Sequence, residues 1–117
     1  MEQKHKNFTV IDWNIAGYIR RNARLITDNK RKPTYSDILI IFYIKGFGDK
    51  GFFGSQASLG RVLGMTQEQV SRSLKTLYDT VHRETNHPIL IKTEYCIYFN
   101  NQFFFDYYGN KLPYAPI

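Results

Sequence analysis

Gln67, Glu68, Ser71, Arg72 and Lys75 stand together in a segment whose apolar residues, Val70, Leu74 and Leu77, recur at spacings of four and three. That recurrence predicts a helix with one buried stripe. At about 100° per residue the opposite side holds Glu68, Arg72, Lys75 and Asp79, with Ser71 at its flank, so these side chains must point outward. The outward set has a definite chemistry. Arginine donates two parallel hydrogen bonds to guanine, glutamine pairs with adenine and glutamate accepts from cytosine, which is how side chains read base edges in a DNA major groove. The end carrying Gln67 would enter the groove first. Glu68 is the odd member, an acid on a face that would meet phosphates.

A helix can present such a face only if something fixes its approach, and the preceding residues supply that. QASLGRVLGMTQEQVSRSLKTL reads as two helices meeting at Gly64, the first capped by Ser55. Leu59 and Leu63 face the core, Gly60 is small where the helices approach closely, and Gly64 takes the left-handed conformation that ends a helix. Met65 turns back into the core. Thr66 caps the second helix, with Gln69 at the reciprocal position of a capping box.

The run G-M-T-Q-E-Q-V-S-R-S-L resembles the turn and recognition helix of bacterial helix-turn-helix proteins, with Gly60, Gly64 and Val70 at the small, turn and core positions. Taken with an earlier helix and a later hairpin, Pro33 to Tyr108 is similar to winged-helix domains of plasmid or phage replication initiators and of small transcriptional regulators. The resemblance implies an α+β fold, mostly helical, ending in a β-hairpin wing around Lys92 to Gln102, with a recognition helix at Thr66 to Tyr78. It also implies a homodimer on two-fold, double-stranded DNA. Base contacts are expected from Gln67, Glu68, Ser71, Arg72 and Lys75. Phosphate contacts are expected from Ser55, Gln56, Arg61, Thr66, Lys92 and Arg24, although the wing holds few basic residues beyond Lys92. An ordinary helical hairpin with a solvated polar face is the plain alternative. Agreement of cap, turn, small residue and core spacing favours the DNA-reading helix.

The rest of the chain is expected to form a single domain around this motif. Residues 1–7 read as a solvated basic tail, and Ile15, Ile19 and Ile26 mark a first helix from Asp12 to Thr27. DNKRKP, from Asp28 to Pro33, reads as a loop, after which Thr34 and Asp37 fit a capping pattern for a helix over Tyr35 to Lys45. That helix is apolar on nearly every side, and its β-branched content leaves a strand as the alternative. Gly46 to Gly54 is a glycine-rich connection. From Ile89 the residues turn β-branched and aromatic, which predicts a hairpin over residues 89–108 with its turn at Asn100-Asn101, or nearer Thr93-Glu94, and then a tail over 109–117.

Charge and composition narrow the partners. Sixteen Lys and Arg against ten Asp and Glu give +6, which favours polyanions. Arg20, Arg21, Arg24, Lys30, Arg31 and Lys32 form the densest basic region and could meet phosphates. Nine Phe and nine Tyr, concentrated late in the chain, exceed what a strand pair buries and predict a dimer surface. The lone Cys96 excludes an intramolecular disulfide, and the longest apolar run, Ile38 to Ile44, is far short of a membrane span, so a cytoplasmic protein is expected.

Enzymatic chemistry finds little support. Gly46, Gly48 and Gly51 have the spacing of a dinucleotide-binding loop, but Phe52, Phe53 and Gly54 stand where its helix should open. His82, His87 and Cys96 lack the paired short spacing of a metal site, and surface or capping roles suit the histidines better. No nucleophile elbow or paired carboxylates occur. No catalytic residue, cofactor, metal or small-molecule substrate is therefore expected. The remaining rival is a protein-interaction module that uses the same fold and its aromatic strands to hold a partner.

Overall fold

In the computed structural model, residues 10–28 and 30–104 are described, so the tails read over 1–7 and 109–117 and the hairpin beyond 104 lie outside the described residues. The Asp12 carboxylate starts α1 (Trp13–Asn22) by accepting from the backbone N–H groups of Asn14 and Ile15 at 3.0 and 3.3 Å. The helix then stops at Asn22 rather than continuing to Thr27. Ala23–Leu25 forms β1, which pairs antiparallel with β2 (Thr80–His82) and sets Ala23 opposite His82. Ile26, whose spacing suggested the longer helix, is 59% exposed. The partner strand of β1 lies far along the chain, so no local periodicity announces it.

Thr34 and Asp37 form the expected capping box at the start of α2 (Tyr35–Lys45). The Thr34 hydroxyl accepts from Asp37 N–H at 3.3 Å and the Asp37 carboxylate accepts from Thr34 N–H at 3.0 Å. Ile38, Ile40, Ile41, Phe42 and Ile44 are all buried, as a helix apolar on every side requires, and the strand alternative is excluded.

The glycine-rich connection makes a 3-10 turn at Gly48–Lys50 and then runs beside the hairpin, where Phe52 exchanges two backbone hydrogen bonds with Ile97 at 2.7 and 3.1 Å. No helix opens at its third glycine. The helices α3 (Gln56–Leu63) and α4 (Gln67–Tyr78) follow as the sequence predicts.

Two small antiparallel sheets complete an α+β fold: β1 with β2, and β3 (Leu90–Lys92) with β4 (Ile97–Phe99) in the register Leu90 opposite Phe99. The hairpin turn falls at Thr93 to Cys96, the second of the two expected positions and not Asn100-Asn101, and the paired strands end at Phe99 instead of running on toward 108. The Thr93 hydroxyl accepts from the N–H groups of Tyr95 and Cys96, and Thr93 N–H donates to the Cys96 carbonyl at 2.8 Å. Asn100 is buried instead. Its amide donates to the Pro88 carbonyl at 2.8 Å while its oxygen accepts from Gln102 N–H at 3.1 Å. These bonds end β4 and begin a 3-10 helix, Asn101–Phe104, which carries Phe103 and Phe104 into the core at zero exposure.

Part of the aromatic surplus is therefore interior, with Phe99, Phe103 and Phe104 buried, while Tyr95 and Phe53 are exposed. Tyr18 meets Phe104 at 5.3 Å and Phe103 at 6.3 Å between ring centroids, and Phe99 lies 5.5 Å from Phe104. His82, expected in a surface or capping role, is buried in this cluster, 5.0 Å from the Phe103 ring, and caps the turn that follows it. Its Nδ1 accepts from the N–H groups of Glu84 and Thr85, so Nε2 carries the proton and donates to the Tyr18 hydroxyl at 2.8 Å. Burial lowers its pKa below the usual imidazole value, which keeps the neutral form that this geometry needs. Among the described residues no helix is long and apolar enough to cross a membrane.

Candidate nucleic-acid interface

The link between α3 and α4 is specified residue by residue. The Ser55 hydroxyl accepts from Ser58 N–H at 3.0 Å to start α3, and Gly64 ends it in the left-handed region at φ 71°. Met65 N–H then donates to the Gly60 carbonyl at 2.8 Å. A side chain at residue 60 is excluded, because a Cβ on Gly60 would lie 2.5 Å from the Met65 carbonyl oxygen. Thr66 and Gln69 form the capping box of α4 at 3.1 and 2.8 Å, and Val70, Leu74 and Leu77 are buried beneath it.

With that stripe inside, Gln67, Glu68, Ser71, Arg72 and Lys75 are all exposed on one side of α4. They fall into a crest and two flanks. Glu68, Arg72 and Lys75 form the crest, and among the described residues no ion pair joins Glu68 to either cation. On one flank Gln67, Glu68 and Ser71 share an open depression of about 400 Å³ with Gln56, the first residue of α3. Farther along that flank Gln56, Leu74 and Tyr78 face the hairpin across a groove of about 180 Å³ that includes Lys92 and Tyr95. The Lys92 ammonium sits 5.4 Å from the centre of the Tyr78 ring, a cation–π contact that holds it beside α4. Burial pushes the Tyr78 phenol above its usual pKa.

The other flank faces α2. Gln69, Arg72, Ser73 and Thr76 form one wall of a cleft of about 310 Å³, and Arg31, Thr34, Ser36 and Asp37 form the other. Arg31 stands out. The sequence marks it only as part of a basic run, whereas the fold sets it across from Arg72. A position in the loop just ahead of the Thr34 cap is the signal that could have placed it, since such a residue must lie near the first turn of α2.

The expected phosphate-binding residues divide. Ser55 and Thr66 are exposed at the caps of α3 and α4; Gln56 lines the depression, and Arg61 is exposed on α3. Lys92 is beside α4 on the short hairpin. Arg24 differs, because its guanidinium donates to the Leu25 carbonyl at 3.3 Å and to the Asn86 side chain at 2.8 Å. These bonds commit it to the β1–β2 region and not to the α4 face. His87 Nδ1 donates to the Gln102 carbonyl at 2.9 Å, so both histidines weighed as ligands have structural hydrogen bonds. Comparison with protein-family models, curated proteins and solved structures finds no match to this chain.

Proposed function

We propose that the chain is a sequence-specific, double-stranded DNA-binding protein that places α4 in the major groove as winged helix-turn-helix proteins do. The carrying observation is the exposed polar side of α4, held by a left-handed turn at Gly64 and a glycine-only approach at Gly60. Connectivity supports the same reading. After α2 the chain passes beside β4 at Phe52, forms α3 and α4, and returns as β3 and β4, which leaves β4 between two partners. The wing is the short turn at Thr93–Cys96, with Lys92 as its one cation toward DNA.

In this reading Gln67, Glu68, Ser71, Arg72 and Lys75 read bases, while Ser55, Gln56, Arg61, Thr66 and Lys92 hold phosphates. The protein acts in the cytoplasm as a homodimer on two half-sites, regulating transcription or marking a replication origin or plasmid element. Catalysis and cofactors have no part in it. A second reading, a protein-interaction module, draws on the exposed, stacked Trp13 and Tyr35, whose ring centroids are 6.3 Å apart.

Selection of bound duplexes from a random pool separates the two. Enrichment of a consensus with two-fold symmetry is expected. A pool that stays random through repeated rounds would leave the interaction module as the better account.

A further inference from the structure

We propose that the cleft between α2 and α4 seats a backbone phosphate of bound DNA, with Arg31 as its principal ligand. The inference rests on the major-groove reading and adds to it the strand contact that sequence reasoning assigned to Arg24. A major groove is about 12 Å wide and a helix with its side chains about 10–12 Å across, so an inserted helix brings both its flanks against sugar–phosphate backbones. On the hairpin flank, Gln56 and Lys92 meet one strand. The opposite flank needs a cation as well, and the fold puts Arg31 there.

Cleft chemistry suits a phosphate. Arg31 supplies forked guanidinium donors, and Thr34, Ser36, Ser73 and Thr76 supply hydroxyls around the same space of about 310 Å³, while Arg72 borders it from the α4 side and keeps its guanidinium for a base. Asp37 also borders the cleft, yet its side chain is only 2% exposed and its carboxylate is already bound to Thr34 N–H at 3.0 Å. Its nearest oxygen lies 4.0 Å from Arg31 Nη2. The buried acid thus attracts one edge of the guanidinium through Nη2, while the side chain, 44% exposed, keeps its other donors for a ligand outside. Lys30, close by in sequence, does not border the cleft and serves as a control for general charge.

Duplex affinity measured across a salt series tests this, using the full chain, its Arg31→Ala, Arg31→Gln and Lys30→Ala variants, and both a selected and a random duplex. Both Arg31 variants are expected to lose affinity by one common factor on the two duplexes and to flatten the slope of log K against log salt by about 1. Lys30→Ala should keep the wild-type slope. Arg31→Gln retains a hydrogen-bonding side chain for Asp37, so it reports on charge even if Arg31→Ala loosens the fold. Wild-type slopes in both Arg31 variants, or an equal flattening in Lys30→Ala, would overturn the cleft site alone. Absence of duplex binding by the wild type would overturn the groove reading and the cleft with it.

Discussion

Replacing Phe103 by alanine is expected to cost about 3–5 kcal/mol of folding stability, the loss that follows when a fully enclosed aromatic ring leaves a cavity. Phe103 has zero exposure and touches three other rings, those of Tyr18, His82 and Phe104, at centroid separations of 6.3, 5.0 and 5.7 Å. Neighbours anchored on α1, β2 and the same 3-10 helix are poorly placed to collapse into the space. A domain of this kind has about 5–15 kcal/mol in total, so the variant should sit near the edge of folding. Denaturant unfolding followed by circular dichroism gives the number. A loss below about 1 kcal/mol, as expected for a half-exposed hairpin residue, would take Phe103 out of the core and restore the long-hairpin reading.

Arg72→Ala is expected to weaken binding to the selected duplex by about 1–3 kcal/mol, roughly tenfold to more than a hundredfold, and binding to random DNA far less. The asymmetry follows from where Arg72 stands. It projects from the crest of α4, where a bidentate pair to guanine would lie, and among the described residues no ion pair with a carboxylate holds it back. Isotherms on the two duplexes at one salt concentration decide the matter. Equal losses on both would remove Arg72 from the base-reading set and join it to Arg31 as a phosphate ligand.

The parts of this molecule that depend on near neighbours were legible in the sequence. Thr66 with Gln69, Thr34 with Asp37, and the Gly64 turn are each written within a few residues, and the structure forms them where those residues stand. The buried stripe of α4 follows from spacing alone, and with it the outward side. What depends on distant partners was not legible. Ala23–Leu25 becomes a strand because Thr80–His82 arrives beside it, and nothing in the Ile15, Ile19, Ile26 recurrence reports that arrival. The Asn100-Asn101 pair looks like a turn by composition, and the sequence could not choose between it and the one near Thr93-Glu94; the distant Pro88 carbonyl, which draws Asn100 inward, decides for the earlier turn. The same limit separates Arg24 from Arg31. Both are cations of one basic region, and only the fold shows that Asn86 occupies the first while the second borders the α4 cleft.

The most direct measurement of the central claim is the salt dependence of wild-type binding to duplex DNA. If Arg31, Arg61 and Lys92 each neutralise one phosphate, log K falls with log salt at a slope of about −2.7 per protomer. Affinity then drops about 40-fold between roughly 50 and 200 mM salt, and about 10³-fold if a dimer engages two half-sites. An affinity that stays flat across that range, or no duplex binding at any salt concentration, would contradict the account and leave an apolar protein contact in its place.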